Sequence, residues 1–220
     1  VAIEAVVFDF DGLIVDTESA WYDALAEIYR DHGVYLPLEK WGQCVGTSHD
    51  LFDPYDYLEE LVGKPIDRIA LKELAASKHS VIMKNRQIRP GVESYLQAAQ
   101  QRGMKIGLAS SSQRSWVERF LRHYGLIRYF ECIRTGDDVA QVKPHPELYL
   151  LATAGLGVSP ANAVAFEDSP NGAKAAKAAG LRCVIVPNPI TATLTFGEHD
   201  LRLNSMADKE LTEVLHLLGV

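Results

Sequence analysis

From residue 89 to residue 187 the chain alternates short apolar stretches with amphipathic ones, and this rhythm restricts the fold more than any other feature. The apolar stretches read as strands at 105–109, more weakly at 131–134, at 164–166 and at 183–186. Helices are expected between them, at 92–102, 115–124, 147–154 and 173–179, with Gly103 stopping the first. Short, wholly apolar strands alternating with helices imply a parallel sheet covered on both faces and joined by right-handed crossovers. The stretch 2–10, with Ala5-Val6-Val7-Phe8 at its heart, reads as a further strand of that sheet. Between it and Arg89 the spacing is helical throughout, as in Trp21, Leu25, Ile28 and Tyr29. The expected fold class is therefore α/β: a Rossmann-like core of residues 1–14 and 88–220 carrying an inserted all-helical module, 15–87. Crossings near 13–16 and 85–90 would serve as hinges.

Composition narrows the possible partners. Lysine and arginine number 22 and aspartate and glutamate 29, giving a net charge of −7, with no basic run beyond two residues. Non-specific nucleic-acid binding is not expected. No apolar stretch approaches the roughly 18 residues of a membrane helix and nothing near Val1 resembles a signal peptide, so a cytoplasmic protein without a membrane partner is expected, with a monomer favoured. Cys44, Cys132 and Cys183 are widely spaced and contain no CxxC pair, which points to buried reduced thiols rather than a disulfide framework or a zinc site.

In open parallel sheets ligands bind beyond the carboxyl ends of the strands. Here those ends are polar: Asp9-Phe10-Asp11-Gly12, Ser110-Ser111-Ser112 and Glu167-Asp168-Ser169, with Lys143-Pro144 in a loop between a strand and a helix. Alternation along a strand lets Asp9 and Asp11 project together while Phe10 goes to the other face. Paired carboxylates repel unless a cation holds them, and a hard divalent ion such as Mg2+ prefers oxygen ligands of the kind Asp9, Asp168 and Glu167 offer. Ser110 and Lys143 add a hydroxyl and a compact positive charge. This set suits a phosphoryl group, which a carboxylate can attack in line while a second carboxyl exchanges protons with the leaving alcohol and then with water.

With these four motifs in order and on the expected elements, the chain resembles the haloacid dehalogenase superfamily of phosphatases and phosphomutases over nearly its whole length. It is most similar to the subgroup with a helical cap inserted after the first motif, which includes β-phosphoglucomutases and phosphoglycolate phosphatases. The resemblance implies that Asp9 is the nucleophile, Asp11 the acid and base, and Ser110 and Lys143 the phosphate holders. It implies that Asp9, the backbone carbonyl of Asp11 and Asp168 hold Mg2+, with Glu167 either a ligand or an orienting residue. It also suggests that the loop around Gly46 and Thr47 closes over substrate. Gly12, Ser111, Ser112, Gln113 and Arg114 complete the candidate substrate contacts, Arg114 by offering its guanidinium to a distal anionic group.

Plainer roles compete at each position. Asp9 and Asp11 could form a turn, Ser110 could cap a helix, Lys143 could be solvated, and Glu167 could anchor a loop. Trp21 and Trp41 read as cap core rather than substrate contacts, and His32, His79 and His145 as structural. The favoured function is a Mg2+-dependent phosphatase of small phosphorylated metabolites, with the cap excluding bulk water. A phosphomutase is the alternative, weakened because Trp21 and His49 stand where mutases of the subgroup resemble one another in carrying histidine and arginine. A non-enzymatic phosphoacceptor has no use for Asp11.

Overall fold

A computed structural model describes residues 2–41 and 52–219. Six strands form one sheet: β1 (Ala5–Phe8), β2 (Lys105–Ala109), β3 (Cys132–Arg134), β4 (Ala163–Glu167), β5 (Arg182–Ile185) and β6 (Leu201–Arg202). Their order is β3-β2-β1-β4-β5-β6 and every pairing is parallel. From β1 the chain winds outward through β2 and β3, then returns to build β4 to β6 on the other side. The reversal leaves a crevice beyond the ends of β1 and β4, where such folds bind ligands. Phe8 pairs with Leu108 on one side and Phe166 on the other, so both neighbouring strands end one residue beyond β1.

Strand alternation divides the interior. Val6, Phe8, Leu108 and Phe166 face the helices α5 (Val92–Gln101), α6 (Arg114–His123) and α9 (Leu211–Leu217). Phe8 stacks on Phe166 at 5.1 Å and Tyr95 meets Phe166 edge-on at 5.3 Å. Each such ring contributes roughly 1.5–3 kcal/mol on burial. The opposite face carries Ala5, Val7, Ala163 and Ala165, small residues that admit α7 (Glu147–Leu156) and α8 (Pro170–Ala178). The sequence reading thus finds the five longer strands and places helices on both faces. It misses β6, only two residues long, and α9.

Between β1 and α5 lie α1 (Thr17–Asp31), α2 (Leu38–Trp41), α3 (Pro54–Val62) and α4 (Arg68–Asn85), with no strand among the described residues. Three of them begin on an aspartate whose carboxylate accepts from backbone N–H groups of the first turn: Asp16 for α1, Asp53 for α3 and Asp67 for α4. These helices bury their own cluster, including Leu25, Ile28, Tyr29, Leu58 and Leu71, which Ile190 joins from the loop after β5. Lys78 of α4 donates to Glu27 of α1 at 2.7 Å. The two chain crossings run side by side: Val15 and Ile88 form an antiparallel bridge, and the Arg89 N–H donates to the Ile14 carbonyl at 2.8 Å. No helix among the described residues is long and apolar enough to cross a membrane. Cys132 and Cys183 are buried free thiols, and Cys44 lies outside the described residues.

Candidate active site

Asp9 follows the last residue of β1 and its N–H donates to the Phe166 carbonyl at 3.0 Å, fixing it beside the end of β4. Its carboxylate is buried and accepts from Lys143 Nζ at 2.5 Å. The same ammonium donates to Glu167 Oε1 at 2.6 Å, so one cation bridges two carboxylates from neighbouring strands. Lys143 reaches this point from the loop before α7, where its peptide bond to Pro144 is cis. Tyr149 of α7 donates its hydroxyl to Glu167 Oε1 at 2.5 Å and the Asp168 N–H donates to Oε2 at 3.2 Å. Glu167 is thus saturated and fully enclosed. Asp168 accepts from Asn188 Nδ2 at 2.7 Å, and Asn188 is itself held by the N–H groups of Ile190 and Thr191 at 2.9 Å.

Two glycines make this crowding possible. Gly12 has φ +81°, and a Cβ there would overlap the Asp168 carboxylate and lie 2.7 Å from Asn188 Nδ2. A Cβ on Gly172 would overlap the Glu167 carboxylate. Gly12 is locked from outside by Arg89, whose guanidinium donates to the carbonyls of Gly12 at 2.6 Å, Val186 at 2.9 Å and Pro187 at 2.7 Å. One half-buried arginine therefore ties the end of β1, the exit of β5 and the second crossing together.

Asp11 sits apart from the Asp9–Lys143 pair. The strand ends at Phe8, so strict alternation does not extend to Asp11. Its Oδ2 accepts from Ser112 Oγ at 2.7 Å and more weakly from Ser110 Oγ at 3.3 Å; its Oδ1 accepts from Trp116 Nε1 at 2.9 Å. Both aspartates nonetheless line one cavity of about 1200 Å3. Ser110, Ser111, Ser112, Gln113, Lys143 and Asp168 line it as well, while Gly12 and Glu167 stand immediately behind its wall. Gly46 and Thr47 lie outside the described residues.

Arg114 departs from the expectation. It is absent from the cavity lining because its guanidinium donates to Asp138 at 2.7 Å and the Ile133 carbonyl at 3.2 Å, and pairs with Glu118 at 3.4 Å. With two carboxylates beside it, it has no charge to spare for a ligand. Trp21 and Trp41 pack with the buried cluster of α1–α4, as expected, and each also lines the cavity. Sequence reasoning missed Glu18, Lys72 and Trp116 on the cavity wall, and Arg89, Tyr149 and Asn188 behind it. Only Glu18 carried a signal, an acidic residue in the first turn of a helix that starts beside the first motif.

The electrostatics call for a cation. Burial above all, with Glu167 and Asp11 adding to it, pushes Asp9 up to about 7 although Lys143 pulls it down. Burial, then Asp9 and Glu167, raise Asp168 well above the carboxylate range. Burial followed by Asp11, Asp16 and Asp9 pushes Glu18 up to about 8. Desolvation opposes the Lys143 charge, yet Asp9 and Glu167 outweigh it and raise its pKa. Carboxylate oxygens of Asp9, Glu167 and Asp168 lie within 4.8 Å of one another. Hard oxygen donors whose charge exceeds that of the one lysine among them fit Mg2+. Asp9 and Asp168 are the freer donors, because hydrogen bonds already engage both Glu167 oxygens.

Comparison with known proteins agrees with the geometry. The model of the haloacid dehalogenase-like hydrolases matches residues 6–186. The YhcW protein of Bacillus subtilis is 53% identical over 99% of this chain and 98% of its own length. Hexitol phosphatase B of Escherichia coli is 30% identical, covering 97% of each chain. The crystal structure of CbbY from Rhodobacter sphaeroides, in complex with phosphate, superposes with a TM-score of 0.72 at 28% identity, covering 99% of this chain and 100% of that one. The motifs, the strand order and these matches together establish that the chain belongs to the haloacid dehalogenase-like hydrolases.

Proposed function

We propose that this hydrolase is a Mg2+-dependent phosphatase of small phosphorylated metabolites, sugar or sugar-alcohol phosphates foremost, acting through a phosphoryl group carried on Asp9. The observation that carries this reading is a buried Asp9 carboxylate held at 2.5 Å by Lys143 and lining the same cavity as Asp11, which accepts from two serines. An Asp9 oxygen attacks phosphorus in line as the bond to the ester oxygen breaks. Asp11 gives that oxygen its proton, then takes one from the water that attacks the acyl phosphate, so inorganic phosphate leaves and Asp9 is restored. Lys143 and Ser110 hold phosphoryl oxygens during both displacements. Mg2+, held by Asp9, the Asp11 carbonyl and Asp168, would supply further neutralising charge on those oxygens.

Residues 15–87 serve as the cap in this reading. Trp21 and Trp41 offer flat apolar faces and Glu18 and Lys72 polar tips, a wall suited to a carbon chain bearing hydroxyls. A hexitol phosphatase and a phosphate-bound CbbY among the similar proteins support that class. The test is phosphate release from hexose, hexitol and glycolate phosphates with and without Mg2+, with products identified for β-glucose 1-phosphate. Metal-dependent release that is best on six-carbon esters is expected. Isomerised sugar phosphate with little free phosphate would contradict the reading in favour of a mutase.

A further inference from the structure

Trp116 is the one donor to Asp11 that the phosphoryl chemistry does not call for. It lies in the first turn of α6, and its indole N–H meets Asp11 Oδ1 at 2.9 Å. Its ring is pinned on several sides. Phe120 meets it edge-on at 4.7 Å, the Arg119 guanidinium lies over it at 5.0 Å, and His79 of the inserted helices stacks at 5.7 Å with planes 21° apart. His79 in turn stacks on Trp21 at 3.8 Å and 8°. The imidazole is buried between the Trp21 and Trp116 rings, and among the described residues its Nε2 has no hydrogen-bond partner. A column of three rings from α1, α4 and α6 thus fixes the plane in which the Trp116 N–H points.

The two Asp11 oxygens consequently meet different partners. An indole N–H can only donate, whereas a serine hydroxyl donates or accepts. A carboxylic acid carrying its proton on Oδ1 would set that hydrogen against the Trp116 N–H. A proton on Oδ2 meets, among the described residues, Ser112 and Ser110, whose hydroxyls can turn to accept it, and both serines line the cavity. We propose that Trp116 is a positioning residue for the acid step: its N–H reserves Oδ1 as acceptor and so confines the transferable proton to Oδ2, on the serine side of the cavity. The proposal rests on the phosphatase reading above, in which Asp11 protonates the leaving oxygen. In that step the ester P–O bond breaks, the Oδ2–H proton passes to the departing alkoxide, and Asp11 is left as the carboxylate that both Trp116 and Ser112 stabilise by donating.

The test exploits the leaving group. An alkyl phosphate needs its oxygen protonated as it departs, whereas p-nitrophenyl phosphate releases a stable phenolate and needs little help. Trp116→Phe keeps an aromatic ring beside His79 and removes the N–H. The ratio of kcat on a hexose phosphate to kcat on p-nitrophenyl phosphate is expected to fall about tenfold or more, within the span that general acids contribute. KM for the two esters is expected to move in parallel. Equal losses on both esters, or no change in the ratio, would overturn the proposal. Should Trp116→Phe fold poorly, benzothienylalanine at position 116, an isostere of tryptophan without the N–H, is expected to give the same selective loss, and an unchanged ratio there would overturn it equally. Wild type that releases no phosphate would sink the phosphatase reading and this proposal together. An active wild type with an insensitive ratio sinks this proposal alone.

Discussion

Arg89 holds three backbone carbonyls, and its own charge is costly to bury, which lowers its pKa although Asp168 and Asp16 oppose the shift. Replacing it with methionine keeps the stem and abandons all three acceptors, each worth about 1–3 kcal/mol when left unsatisfied. Arg89→Met is expected to destabilise the protein by about 3 kcal/mol or more in urea unfolding, scaled from those costs, and a loss below about 1 kcal/mol would show that water takes the carbonyls over. Asp168→Ala is expected to abolish the rise in melting temperature that Mg2+ gives the wild type, an effect of mass action on a folded-state site. An undiminished rise would remove Asp168 from the ligand set. The contrast between these residues explains what was legible at this scale. Asp9 and Asp168 are conspicuous because they stand at the ends of apolar strands, and Lys143 because its motif falls in order between them. Arg89, Asn188 and Tyr149 bond to residues up to about a hundred positions away, as Arg89 does to Pro187, and no local pattern marks such partners.

Among the elements, α4 bears most on the relation between the inserted helices and the core, because His79 stacks both on Trp21 within the insertion and on Trp116 of α6. Burial lowers the His79 pKa from 6.5 to about 4, with Arg119 and Arg86 lowering it further. The sign follows directly: between those two values the unfolded chain binds the proton and the folded one does not, so stability is lost as pH falls from 6.5 toward 4. His79→Leu is expected to flatten that part of the stability curve by an amount on the order of 3 kcal/mol. Equal pH dependence of unfolding in wild type and variant would contradict the assignment. Most elements were readable because their patterns are clean: β1 is apolar throughout, β2, β4 and β5 are apolar but for one charged residue at an end, and the helices of the insertion show apolar residues at helical spacing. The weaker β3 was read within a residue or two. Strand β6 escaped because Leu201–Arg202 is too short to show a period, and it is held by the bonds Asp200 N–H makes to Cys183 and Leu203 N–H makes to Ile185.

For the molecule as a whole, the α/β class followed from the order of elements, whereas the meeting of Trp21, Lys72 and Trp116 around one cavity depends on how the insertion folds back over the sheet. Packing of that kind is set by contacts between distant segments and leaves no periodic trace. The net charge of −7 repels a phosphate dianion at long range, so in the proposed function capture would rest on Lys143, a bound cation and short-range donors. Raising ionic strength toward 0.15 M, where the screening length is about 8 Å, is therefore expected to leave kcat/KM level or to increase it by less than about threefold. A steep fall with salt would instead reveal an attracting field that the charge balance denies. Whether Asp9 carries the phosphoryl group is decided by phosphate release by wild type and Asp9→Asn on the best ester, with folding of both checked by thermal melts. An amide cannot form the acyl phosphate, so the account expects a folded Asp9→Asn protein with no turnover beside an active wild type. Substantial phosphate release by the folded variant would contradict it.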